Sequence, residues 1–182
     1  MLEIPTVIPS SLNGSHLKNA CQSASPIVLI SGCSIGTLQS FVTTIHEYHK
    51  RAFVHIDLIA GFKPDNEGMR LLKTLYKIDG IISTNFRALM IGKELGMETV
   101  YRIFLIDSRS IDRASGLLKD GNFSAIEILP SGYAIQEGEK LSKYLKTTDL
   151  IAGGFVRSDK DIQQIFAHQF KGITTSDKSL WR

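Results

Sequence analysis

The chain has 182 residues, 43% of them hydrophobic and 21% charged, with a formal net charge of +3 at pH 7. That suits one globular domain with a sizeable core and is too short for two comfortable ones. So small a charge neither demands nor excludes an acidic partner such as RNA, and no apolar run approaches membrane-spanning length.

Cys21 and Cys33 lack the spacing of a metal site or of a redox CxxC pair, which makes a reducing cytoplasm the simplest setting. The opening Met1-Leu2-Glu3-Ile4-Pro5 is no signal peptide. A single cytoplasmic domain over residues 1–182 is expected.

In chain order, the apolar runs predict strands at Thr6–Pro9, Ile27–Ser31, Ala52–Leu58, Gly80–Ser83, Thr99–Ile106, Ala125–Leu129, Leu150–Ala152 and Gly172–Thr174. They are nearly continuous in apolar residues, as parallel strands covered on both faces are. Between them the periodicity predicts helices over Leu38–Lys50, Glu67–Tyr76, Phe86–Leu95, Ile111–Lys119, Ile135–Leu145 and Lys160–His168. Leu12–Ser23, with Asn13-Gly14 inside it, is the weakest helical segment.

Eight strands with helices between them favour a compact (β/α)8, TIM-like barrel over an open doubly wound sheet. The length lies just under the usual lower limit for that fold, and only Asp177–Arg182 remains for a shortened closing helix. No GxGxxG follows the first strand, which removes the usual nucleotide motif of the open-sheet alternative.

Ligands of such barrels bind at the C-terminal ends of the strands. Those ends carry Asp57, Ser83 and Thr84, Asp107, Pro130 and Ser131, Gly153 and Gly154, then Thr175 and Ser176. The last two turns, Gly153-Gly154 and Thr175-Ser176, are small and polar, and side by side they suit a phosphate. Each alone reads equally as an ordinary capped turn.

Three polar residues interrupt strands. His55 precedes Asp57 by two, Arg102 stands within Tyr101–Phe104, and Glu127 lies between Ile126 and Ile128. Arg102 and Glu127 come from adjacent strands and have two readings: a buried ion pair inside the barrel, or an anion-binding arginine beside an acceptor for a ligand hydroxyl. Asp57 is either a loop cap or a ligand for a polyol hydroxyl or a metal. His55 reads first as an interior histidine.

No lysine stands at a strand end, so Schiff-base chemistry has no candidate there. No Cys at a strand end has a His partner, and Asp107 reads as a helix cap. No catalytic residue is assigned. Lys140, Lys143 and Lys146, and the cluster His46, His49, Lys50 and Arg51, read as solvated helix faces. A recognisable RNA module is absent.

Taken in order, His55–Gly61, Gly80–Thr84, Arg102–Ser108, Ala125–Pro130, Ile151–Phe155 and Ile173–Ser176 with Leu180-Trp181 resemble the bacterial glycerol uptake operon antiterminator regulatory proteins. The resemblance implies a (β/α)8-like fold that senses glycerol 3-phosphate and acts on leader mRNA of glycerol-utilisation genes to prevent premature termination. It implies no enzymatic activity and no cofactor beyond that effector.

Under this reading Gly153, Gly154, Thr175 and Ser176 hold the phosphate with Arg102 in support, while Asp57 and Glu127 take the glycerol hydroxyls. The sequence departs from the family pattern at Ser10, Asn85 and Tyr101, near strand ends where ligand affinity or identity is set. The alternative function is a small barrel isomerase or lyase acting on a phosphorylated triose or sugar, with Glu127 or Asp57 as base or as ligands for Mg²⁺. So thin a closing helix leaves apolar wall to cover, which suits a homodimer.

Overall fold

In a computed structural model of the chain, eight strands close a barrel in which every neighbouring pair is parallel and the order round the wall follows the sequence. The structure describes residues 2–3, 5–107, 109–110, 112, 122–142 and 148–182. The barrel strands are β1 (Thr6–Ser11), β2 (Ile27–Ile30), β3 (Arg51–His55), β4 (Gly80–Ser83), β5 (Glu98–Phe104), β6 (Ala125–Leu129), β7 (Asp149–Gly153) and β8 (Gly172–Thr175). Closure is made by β8 against β1, with Thr6–Pro9 in register with Gly172–Thr175. The helices are α1 (Leu17–Gln22), α2 (Ile35–Glu47), α3 (Asn66–Thr74), α4 (Phe86–Glu94), α5 (Ser131–Ser142) and α6 (Asp159–Ala167). The expected helix over Ile111–Lys119 lies outside the described residues except for Asp112.

The continuous apolar runs resolve into two faces of period two. Ile8, Ile27, Leu29, Phe53, Ile82, Val100, Ala125 and Ile151 form one buried cluster with Leu2, and among the described residues no helix contributes to it; this is the barrel interior. The alternate residues, among them Val28, Ile30, Val54, Ile81, Ile126 and Ala152, join a second cluster with Leu38, Met69, Leu72, Leu89 and Ile165 of the helices. Phe53 fills much of the interior because Gly80 faces it: a Cβ there would come within 2.4 Å of the ring. Burying one such side chain contributes about 1.5–3 kcal/mol.

Short polar side chains set several helix starts. α2 begins at Ile35, three residues before its apolar periodicity, because the Ser34 N–H donates to the Thr37 hydroxyl at 3.1 Å. Asp65, Asn85 and Ser158 cap α3, α4 and α6 by accepting from backbone N–H groups three residues on. The weak first segment forms a 3-10 turn, Gly14–His16, before α1. After β8 only a single 3-10 turn, Lys178–Leu180, stands where a full helix would close the barrel. Trp181 then anchors the end by donating its indole N–H to the Thr175 carbonyl at 2.9 Å.

Two strand expectations ran too long. β3 stops at His55, and the chain turns through Ile56–Leu58 before Ile59–Ala60 pairs with Cys33–Ser34 above the barrel. The turn brings the Asp57 carboxylate onto β4. Likewise β5 ends at Phe104, and Ile106 is 84% exposed. No helix among the described residues is long and apolar enough to cross a membrane.

Candidate functional site

Two residues beyond the apolar interior layer, each strand changes character. Ile8 is followed at that spacing by Ser10, Leu29 by Ser31, Phe53 by His55, Val100 by Arg102, Ala125 by Glu127 and Ile151 by Gly153. Thr174 stands level with Gly153 on β8. A strand repeats its facing every second residue, so these side chains form a polar layer over the apolar one. Above it opens a cleft of about 630 Å³, bordered by Ser10, Ser31 and Arg102 and by the loops Gly154–Arg157 and Thr174–Asp177.

Arg102 and Glu127 are register partners on β5 and β6. Arg102 Nε donates to Glu127 Oε2 at 2.5 Å, and the Thr174 hydroxyl donates to Oε1 at 2.5 Å. Glu127 is 0% exposed, so both its oxygens are engaged below the cleft floor. The pairing uses one of five guanidinium N–H donors, and Arg102 itself borders the cleft. A carboxylate bound in this way lowers the cost of burying the cation and fixes its direction. Gly153 permits the arrangement, since a Cβ there would lie 2.6 Å from Thr174 Oγ1 and 2.9 Å from Glu127 Oε1.

Asp57 belongs to a separate group. Its carboxylate accepts from the Ser83 hydroxyl at 2.7 Å, the Thr84 N–H at 3.0 Å and the Thr84 hydroxyl at 3.3 Å. These bonds tie the turn after β3 to the end of β4. His55 lies beneath, its Nε2 3.7 Å from Asp57 Oδ2. Both ring nitrogens are buried without a hydrogen-bond partner among the described residues. Burial, reinforced by the Arg102 charge and opposed by Asp57 and Glu127, pulls the imidazole pKa down to about 4. His55 is therefore neutral near pH 7.

The two loops expected to hold phosphate are fixed from behind. The Ser131 hydroxyl and N–H both donate to the Gly154 carbonyl, at 2.8 and 3.3 Å. The Thr175 hydroxyl donates to the Val156 carbonyl at 3.3 Å. Gly154 has φ +76°, and Phe155, 74% exposed, has φ +60°. A bulky residue held there stores of order 1–3 kcal/mol. The guanidinium of Arg157 lies over the Phe155 ring at 5.7 Å.

The helix starts themselves are engaged. Ser158 and Asp161 bond each other and the Arg157 and Asp161 N–H groups, while Asp177 accepts from Ser179. What borders the cleft is the loop before each helix start: Gly154, Phe155, Val156, Thr175 and Ser176.

The structure thus brings Arg102, Gly154, Thr175 and Ser176 to one cleft. It places Gly153 and Glu127 just beneath, and Asp57 to one side among its own partners. Asp107 accepts from the Ser110 N–H and hydroxyl, both at 2.8 Å, in the manner of a cap. Cys21 and Cys33 are free thiols, and burial pushes Cys33 up to about 11. Of the three departures from the family pattern, Asn85 caps α4 and Tyr101 packs on Phe86 and Phe123 in the helix-facing core. Only Ser10 faces the cleft. Sequence reasoning missed Ser31, Thr174 and Arg157 as well. The first two were visible in the two-residue projection from Leu29 and Gly172; nothing in the pattern marked Arg157.

A closed parallel barrel with a polar mouth, an oriented arginine and two small-residue loops on one cleft defines a (β/α)8 protein with its candidate site at the C-terminal ends of the strands. The chain belongs to the glycerol-3-phosphate responsive antiterminator family, whose sequence pattern it matches over residues 7–181. Its fold is similar to the crystal structure of a glycerol uptake operon antiterminator regulatory protein from Listeria monocytogenes str. 4b F2365. The TM-score is 0.90 at 28% identity, covering 97% of this chain and 94% of that one. An antiterminator-related protein from Thermotoga maritima MSB8 shares the fold with a TM-score of 0.86 at 22% identity, covering 100% and 99%. An uncharacterized Escherichia coli (strain K12) protein, YgcP, is 27% identical over 175 residues, 96% of this chain and 91% of that one. The family is regulatory rather than enzymatic, and the antiterminator class expected from the sequence stands with it.

Proposed function

We propose that this chain senses glycerol 3-phosphate at the barrel mouth and relays its presence to the leader mRNA of glycerol-utilisation genes. One observation carries the site: the loops after β7 and β8 border a single cleft together with Arg102. The phosphate rests on Gly154, Thr175 and Ser176, and Arg102 supplies charge from the floor. Gly153 contributes by its small size. Glu127 is a positioning residue that acts through Arg102, and Asp57 is a positioning residue that fixes the β3–β4 rim.

A ligand shifts a protein only by as much as it binds one state better than another. The loop Gly154–Arg157 is suited to such a change, because it borders the cleft and holds two successive positive φ angles. Action on leader mRNA, a cytoplasmic setting and a homodimeric assembly complete the proposal.

Transcription through a glycerol-operon leader in vitro tests it. Read-through of the terminator is expected to rise only when the protein and glycerol 3-phosphate are both present. Read-through indifferent to the ligand contradicts the proposal.

A further inference from the structure

The carboxylates first expected to receive ligand hydroxyls are engaged elsewhere, Glu127 on Arg102 and Thr174, and Asp57 on Ser83 and Thr84. Neither borders the cleft. Beside the phosphate loops, on the next two strands of the closed wall, stands a different pair. Ser10 is on β1, and Ser31 follows the last residue of β2; Ser10 is in register with Leu29, and the Ser31 N–H donates to the Ser11 carbonyl at 2.8 Å. Their hydroxyl oxygens are 2.6 Å apart, and both border the cleft.

We propose that Ser10 and Ser31 form the subsite for the hydroxyl groups of a short phosphorylated polyol. The assignment rests on the phosphate reading above and concerns the other end of the same ligand.

The donor count supports it. Two hydroxyls bring two hydrogens and four lone pairs, and the bond between them uses one of each. One hydrogen and three lone pairs remain. A ligand hydroxyl both donates and accepts, so neighbouring hydroxyls meet this complement. A carboxylate or a second phosphate only accepts and finds a single donor. Leu12, Leu58 and Leu129 are apolar residues that border the same cleft. Ser10 is buried, so each such bond counts for more and an unmet partner costs more.

Calorimetric titration with glycerol 3-phosphate and with ethyl phosphate, which keeps the phosphate and lacks the hydroxyls, tests the subsite. The wild type is expected to prefer glycerol 3-phosphate by about tenfold or more. The double variant Ser10→Ala/Ser31→Ala should bring that ratio close to one while its affinity for ethyl phosphate stays within about twofold. If the double variant folds poorly, each single variant should lower the ratio about threefold. Equal affinity of the wild type for both ligands, or variants that keep the full preference, overturns the subsite and leaves the phosphate reading intact. Binding of neither ligand overturns both.

Discussion

Two quarters of the barrel mouth carry similar residues and use them differently. At β3–β4, Asp57 meets Ser83 and Thr84 and closes on them through three hydrogen bonds. At β7–β8, the Asp and Ser side chains cap the turns that follow, and Gly154, Thr175 and Ser176 are left along the cleft. A carboxylate beside hydroxyls satisfies itself locally, because a charged acceptor gains more from a bond than a neutral one. A glycine has no side chain with which to do so and presents its backbone instead. In this mouth the carboxylates of Asp57 and Glu127 hold the frame, while Arg102 borders the cleft together with the small residues of the β7–β8 loops.

The contrast can be broken from beneath. Glu127→Ala leaves the Arg102 cation buried without its partner, and unfolding measurements should show a loss of about 3–5 kcal/mol. Glycerol 3-phosphate binding should fall with it. A loss no greater than that of an average surface substitution would show that the pair does not organise the mouth.

The β3–β4 quarter has its own signature in pH. The His55 pKa is depressed in the folded state to about 4, against an ordinary value of 6.5. The unfolded chain therefore binds a proton that the folded one refuses, and stability falls as pH drops from about 6.5 to about 4. The full window corresponds to about 3 kcal/mol. His55→Asn should flatten this part of a denaturation profile measured at several pH values. An unchanged slope would place the titration elsewhere.

A smaller effect is expected at the joint of the two halves. Gly153→Ala sets a methyl group against Thr174 and Glu127. It should cost about 1–3 kcal/mol as overpacking and weaken ligand binding by turning Arg102 out of line. Stability lost with affinity intact would separate the frame from the site.

Much of the fold was legible because parallel strands buried on both faces are simple to read. Ile27–Ile30 and Gly80–Ser83 stand where their apolar runs place them, and eight such runs imply closure. Boundaries failed where a side chain took over from periodicity. Ser34 starts α2 early, and Asp57 bends the chain after His55. The site was legible in part. Arg102, Gly154, Thr175 and Ser176 were marked as a charge inside a strand or as small residues at its end, and all four meet at the cleft. The Arg102–Glu127 pair and a capping Asp57 were each one of two readings, but the hydroxyls that complete them were not legible, because they lie 26 and 47 residues away in sequence. Ser10 and Ser31 look like ordinary small residues until the two-residue step from Ile8 and Leu29 is followed round the barrel.

The most direct test of the β7–β8 cleft as the phosphate site is calorimetry with glycerol 3-phosphate on the wild type and on Gly154→Asp. The variant sets a carboxylate at the position of closest backbone approach, in a backbone conformation with φ +76° that aspartate adopts only at some cost. The wild type is predicted to bind one ligand per chain with measurable heat, and the variant to show none. No heat from the wild type at millimolar ligand, or a variant that binds as the wild type does, would contradict the account.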